Sequence, residues 1–418
     1  MTEKTRPREN ELRIFVENFV FFKFWAQAQG AVNRWGKSRQ LTFLGLAIAV
    51  GVSMRIWAQT SFRNYDFDSY LIVSKMLVNG ENPYDSGRYN YGPNWMFFLT
   101  FARSIFENPD AFRLVLAITL TLADVGIAII LFKRGYSLAS LLIMLSPISI
   151  AITGQHQQFD NIAILLLLAA MYVYRPTGMK SWSRNDTYVL ILITLSITTK
   201  HVFIFFLFWF ALKQTGIRKA LIYLVAPVIV FVLSLVPFWL ISPQSVVENV
   251  LLYSGYNNAP LLSIVIPNLE EMDAFGRRLQ QVIFVLVVLA TGYFLRRHSP
   301  FILALVYTIT LVVFTSGLAD QYLAIAFVGA AVFLNLSFLI WMVFGSLYFF
   351  GNPETLAVPG LTSINQANPN LFLMTSDSAY QTLSGLLFIG WIILLIQLRV
   401  TPTLDQKQAN FLWPARKN

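Results

Sequence analysis

The chain has 418 residues, of which 56% are hydrophobic and 12% charged, with a mean hydropathy of +0.59. Soluble domains carry about 25% charged residues, so this composition excludes a water-soluble globule. The net charge of +10 lies in short basic clusters between apolar runs, a pattern that orients a membrane protein and argues against nucleic-acid binding.

The absence of cysteine excludes disulfides, thiolate nucleophiles and Cys-ligated metal, and three histidines leave little for zinc. It is compatible with a bacterial inner membrane. The first forty residues lack a short apolar core followed by a small-residue cleavage site, so no cleavable signal peptide is expected. Residues 10–36 set Phe, Val, Ile and Trp beside Arg13, Glu17 and Lys23. That pattern fits a cytoplasmic helix lying in the interface, or equally one packed on the bundle.

A helix needs about 20 apolar residues to cross hydrocarbon. Spans are expected near 41–61, 110–132, 137–153, 160–175, 186–199, 201–213, 217–241, 279–296, 300–317, 321–334, 336–350 and 379–399. With the N-terminus inside, alternate segments carry 22 Lys and Arg on the cytoplasmic side and 7 on the outer side, which predicts that both termini are cytoplasmic. Segment 93–106 is too short to span and reads as an external interfacial helix; as a span it would reverse every later loop. The expected fold is therefore an all-α polytopic bundle of about twelve transmembrane helices. Residues 1–40 form a cytoplasmic segment, 41–400 one membrane domain and 401–418 a cytoplasmic tail, with outer loops at 62–109, 242–278 and 351–378.

The first outer loop reads RNYDFDSYLIVSKMLVNGENPYDSGRYNYGPNW. Asp66 and Asp68 open a helix-like run, and an N-cap role is the plainest reading of them. Residues two apart diverge on a helix but share a face of an extended segment. A helix would thus present one carboxylate to a pocket, whereas an extended DFD could offer both to magnesium or manganese. The ITGQHQQFDN segment gathers Gln155, His156, Gln158 and Asp160 between two apolar runs, where polar groups are costly unless they face water or a cavity. Lys200 and His201 interrupt the apolar stretch 187–212 and mark a helix break, from which the lysine either snorkels outward or faces an anion in the bundle. In the 242–278 loop Tyr253, Tyr256, Asn257, Asn258, Arg277 and Arg278 are candidates to bind phosphate or acceptor, with an ordinary surface loop as the plain reading. Asp320, Gln321 and Tyr322 open a later span, with an N-cap as the plain reading of Asp320. The basic-residue bias places all of these on the outer side.

D-x-D-x-Y ending at Tyr70, G-x-x-P-Y ending at Tyr84 and Y-x-Y-x-P ending at Pro93 resemble the first outer loop of GT-C-fold glycosyltransferases that use polyprenyl-phosphate sugars. The likeness is greatest to bacterial polyprenol-phosphate-mannose-dependent alpha-mannosyltransferases and the first mannosyltransferase of GPI-anchor synthesis. Weaker echoes are the SP, GQ and FDN pairs between Ser146 and Asn161, the Lys200 break and DQY at 320–322. The likeness covers about residues 60–335. It implies an inverting transfer of a sugar, mannose first, to a lipid-linked or glycan acceptor on the outer face. It implies Asp66 as general base, with Asp68 as a second carboxylate.

Lys200, His201, Arg277 and Arg278 would serve the donor phosphate, and Tyr70, Gln155, His156, Gln158, Asp160, Asp320, Gln321 and Tyr322 the substrates. The family commonly has KP where this chain has Lys200 and His201, which weakens a role for His201. No cofactor is required on this reading, although a divalent cation is compatible with it. The rival from another class is a multi-pass transporter or flippase, since broken helices with polar residues also mark transport sites. No internal repeat relates the two halves, and the site-bearing loop is rich in turns, which favours the enzyme.

Overall fold

The computed structural model describes residues 20–61, 63–176, 182–253, 274–315, 317–352, 355–367 and 376–400, with positions 261 and 264. Among them every regular element is helical. In chain order they are α1 (Val20–Asn33), α2 (Lys37–Ala58), α3 (Tyr65–Val78), α4 (Pro93–Ile105), α5 (Pro109–Lys133) and α6 (Ser137–Leu145). Next come α7 (Asp160–Val173), α8 (Arg184–Thr199), α9 (Phe206–Ala211), α10 (Ile217–Ile241), α11 (Ala274–Leu295) and α12 (Pro300–Val313). The chain closes with α13 (Asp320–Val332), α14 (Leu336–Gly351), α15 (Pro359–Ala367) and α16 (Ser376–Val400).

Each segment expected to cross the bilayer contains helix, but the helices differ in length. Among the described residues, Lys37–Ala58, Pro109–Lys133, Ile217–Ile241 and Ser378–Arg399 are long and apolar enough to cross alone. A fifth crossing arises if Ser137–Leu145 and Pro147–Gln155, bent by 49° where Pro147 interrupts them, count as one. The others are shorter: α7 has 14 residues, about 21 Å of helix against about 30 Å of hydrocarbon.

Burial sorts the helices into layers. Residues 301–313 of α12 and 323–332 of α13 are buried on every side, as a helix apolar all round must be when protein surrounds it. On α10, Leu221, Val225, Ile229, Val232, Leu233, Val236 and Leu240 are exposed. Such a stripe facing water would forfeit about 25 cal/mol per Å², so hydrocarbon is its fitting solvent.

The first two long helices and the bent pair are joined by a buried charge that periodicity does not reveal. Arg55 on α2 pairs with Asp124 on α5 at 2.9 Å. It also donates to the carbonyls of Gly51, Ile143 and Met144 and to the hydroxyls of Ser149 and Thr153. Asn161 donates to the other oxygen of Asp124. With its donors satisfied, this ion pair escapes most of the cost of burying a lone charge.

Helices α1, α3 and α4 form where interfacial or loop helices are expected, while residues 10–19 of the first segment lie outside the described residues. The described part of the 242–278 loop holds the short turns Pro243–Val246 and Val247–Leu251, and that of 351–378 holds α15.

Candidate active site

The N-terminus of α3 decides the geometry of the DFD stretch. The Asn64 side chain accepts the Phe67 N–H at 3.0 Å, so Asn64 is the N-cap and Asp66 and Asp68 lie within the first turn. The N-cap expectation for Asp66 is therefore corrected: Asn outcompetes it two residues earlier, in extended backbone suited to the cap. The helix also separates the carboxylates. Asp66 is half-buried on the wall of a cavity of about 800 Å³, whereas Asp68 is exposed and off that wall.

The loop after α3 is shaped by the residues that form its motifs. Asn82 caps the turn Pro83–Ser86 and donates to the Phe238 carbonyl at 3.2 Å. Tyr84 and Tyr89 are buried; their hydroxyls donate to the carbonyls of Tyr91 and Gly92 at 2.8 and 2.7 Å. A Cβ on Gly92 would meet the Thr198 carbonyl oxygen at 1.9 Å, so only glycine permits this approach. Asn94 donates to the Thr198 hydroxyl beside it at 2.5 Å. The tyrosine-rich motif thus binds the first loop to the end of α8, next to Lys200.

At that point α8 stops. Lys200 is extended (φ −140°, ψ 104°), and a 3-10 turn, His201–Phe205, leads into α9. Lys200 does not snorkel: it is fully buried, and its Nζ lies 2.5 Å from Asp160 Oδ1 at the start of α7. The rings of Tyr91, Phe159 and Tyr322 surround the ammonium at 4.5, 5.3 and 5.8 Å. The lysine thus faces an anion within the bundle, and that anion is the protein's own carboxylate. A donor phosphate would have to displace Asp160 to reach it, so the phosphate role expected of Lys200 does not fit this arrangement. His201 does line the cavity, its ring stacked on Phe231 at 5.8 Å.

The polar turn before α7 is buried from Ala151 to Asp160. Gly154 packs against the Arg55 backbone, where a Cβ would meet the carbonyl oxygen at 2.8 Å. Gln157 has the left-handed φ of 57°, a conformation costing a non-glycine residue about 1–3 kcal/mol, and its side chain donates to the Arg113 carbonyl at 2.8 Å. Gln155 and His156 are buried in this turn. The Gln158 amide lies beside the Asp66 carboxylate without reaching good hydrogen-bond geometry.

Burial pushes the Asp66 carboxyl above the usual carboxylate range, and the nearby Asp160 charge reinforces the rise. His156, the Gln158 amide and Lys200 pull it back without reversing it. A raised carboxyl in a cavity suits a general base that works near neutral pH. Tyr70, Gln321 and Tyr322 share the cavity wall with Asp66 and His201. The Tyr70 hydroxyl and Trp95 indole N–H face each other without a well-formed hydrogen bond.

Asp320 lies apart from this wall. It is the first residue of α13 after the cap Ala319, and its Oδ1 accepts the Tyr380 hydroxyl at 2.7 Å. Arg277 and Arg278 lie within α11 rather than in a loop, and their side chains lie outside the described residues. Among the described residues no three His, Asp or Glu side chains gather as a metal cluster, and the helical DFD stretch does not form the two-carboxylate clamp that an extended one would offer.

The structure adds residues that the motif reading passes over. Arg88 and Asn90 line the cavity beside Tyr91 of the Y-x-Y-x-P motif. Tyr253, a candidate of the 242–278 loop, lines it as well. No family model, curated protein or solved structure matches the chain.

Proposed function

We propose that this protein is a GT-C-type membrane glycosyltransferase. In this reading it moves a sugar, mannose first, from a polyprenyl-phosphate donor to a lipid-linked or glycan acceptor at the outer face. The observation that carries the reading is the two-natured cavity. Asp66 and Arg88 supply its polar part; Ile204, Phe205, Phe284, Val285, Leu311 and Val312 supply an apolar part. Neighbouring residues Val282, Ile283 and Leu286 of α11 are exposed apolar side chains. A pocket continuous with such a face suits an amphiphile whose tail stays at bilayer depth.

The chemistry needs one base. Asp66 removes the acceptor hydroxyl proton as that oxygen bonds to the anomeric carbon. The carbon–oxygen bond to phosphate breaks, and its electron pair leaves with the phosphate. One displacement inverts the anomeric centre. A positioned carboxylate contributes typically about 10²- to 10⁴-fold.

In the same reading the shorter helices complete about twelve crossings, and the cavity opens on the outer side, the periplasm of a bacterial inner membrane. The bias of 22 basic residues against 7 supports this orientation and cytoplasmic termini. No divalent cation is required; one bound at Asp66 would take its remaining ligands from substrate.

The buried Asp160–Lys200 pair at a helix break favours a second reading, a lipid or solute translocator. Purified protein incubated with short-chain polyprenyl-phosphate mannose and a glycolipid acceptor separates the two. Transfer with inversion, read by NMR of the product, is expected. Lipid translocation in vesicles without transfer would overturn the proposal.

A further inference from the structure

Among the described residues, the cavity contains a cation that is not committed to a carboxylate. Among the described residues the ion pairs are Arg55–Asp124, Arg63–Asp110, Lys200–Asp160 and Lys219–Asp186. Arg88 belongs to none of them, yet it lines the cavity with Asp66. Its guanidinium carbon lies 4.2 Å from the ring centre of Tyr65, which lines the same wall. This contact uses the charge of the guanidinium and does not consume its five N–H donors.

The backbone at this position is held from both sides. Gly87 closes the preceding turn with φ 64°, and the Arg88 N–H donates to the Ser86 hydroxyl at 3.1 Å. The next residue, Tyr89, is buried and tied to Gly92. The base of the arginine is therefore fixed while its end reaches the cavity. Lys200, the more obvious cation, is neutralised by Asp160 behind the rings of Tyr91 and Tyr322.

We propose that Arg88 is the anion-binding residue of the cavity, taking the phosphate ester of a lipid through its planar fork, with Tyr65 as the residue that positions it. Guanidinium suits phosphate because two parallel N–H donors match two phosphate oxygens. The assignment rests on the reading of the cavity as the seat of a lipid-linked donor. It moves the phosphate away from Lys200.

The test is equilibrium binding of dodecyl phosphate to the purified full-length protein in a neutral maltoside detergent, with inorganic phosphate as a separate arm. Arg88→Gln is expected to weaken dodecyl phosphate binding about tenfold to a hundredfold, the scale of hydrogen bonds to a charged group. Its salt dependence should flatten. Arg88→Lys should fall between, Tyr65→Leu should weaken binding, and Tyr65→Phe should restore it because the ring face remains. Unchanged binding by Arg88→Gln, with an unchanged melting midpoint, overturns the assignment while leaving the glycosyltransferase reading intact. Inorganic phosphate binding as tightly as dodecyl phosphate overturns the lipid part, and a wild-type protein that binds neither overturns the whole proposal. Arg88-dependent binding without any sugar transfer upholds it and sinks only the transferase reading.

Discussion

Lys200 and Asp160 lie 2.5 Å apart with side chains only 1% exposed, joining the break after α8 to the start of α7. Neither charge has water to turn to, and the aromatic rings around the ammonium leave Asp160 as its principal counter-charge. Removing one partner strands the other, at about 3–5 kcal/mol for a buried pair. Lys200→Met and Asp160→Asn should therefore each lower the melting midpoint strongly, and the double variant should recover much of the loss. A thermal melt of the four proteins in detergent checks this: independent, additive losses would contradict the pairing.

The raised pKa of Asp66 has two consequences of definite sign. A base must be ionised, so transfer should rise with pH along a limb above the usual carboxylate range. Activity profiles of the wild type from acidic to neutral pH read that limb directly. Folding behaves oppositely: the folded state holds the proton more tightly than the unfolded chain, so the stability contributed by protonated Asp66 is present at low pH and is lost as pH rises through its folded pKa. Asp66→Asn should gain stability relative to wild type over that interval. A constant difference in melting midpoint across pH would rule out the desolvated carboxyl.

Gly92 makes the contact that ties the first loop to the Lys200 break. Gly92→Ala puts a methyl group against the Thr198 backbone, where neither side can yield by rotating a side chain. Overpacking typically costs about 1–3 kcal/mol, and the displaced loop should carry Asp66 and Arg88 out of register with the cavity. Gly45→Ala, inside α2 where nothing lies within 4 Å, is the control. Melting and transfer should fall together in Gly92→Ala and not fall in Gly45→Ala.

Asp68 tests whether the helix has separated the carboxylates. An exposed substitution away from any network changes free energies by about 0.5 kcal/mol or less, so Asp68→Asn should transfer at close to the wild-type rate. Loss of transfer in Asp68→Asn, restored by added magnesium, would revive the two-carboxylate reading.

Much of the architecture is legible because hydrophobic runs and basic clusters are local signals. The run at 217–241 is the helix Ile217–Ile241, and the TTKH interruption is the break at Lys200. The polar turn at 155–160 is buried and does not line the cavity that its setting between apolar runs predicts. Partners are less legible, because charge pairing across helices leaves no periodic trace. Arg55 and Asp124 are 69 residues apart in sequence, and Lys200 meets Asp160 only once α7 and α8 have packed. The preference for Asp66 over Asp68 has a local basis as well: Asn64 is a strong N-cap residue, and a helix beginning at Tyr65 fixes which carboxylate turns inward. Arg88 escapes a motif reading because its flanking tyrosines supply the loop's structure while the arginine supplies its charge.

The most direct measurement is single-turnover sugar transfer from short-chain polyprenyl-phosphate mannose by wild type and Asp66→Asn, with dodecyl phosphate binding measured on the same preparations. Inverted product is expected from the wild type, with transfer reduced by about 10²- to 10⁴-fold in Asp66→Asn and lipid-phosphate binding retained. Transfer by Asp66→Asn at the wild-type rate would rule out Asp66 as the base.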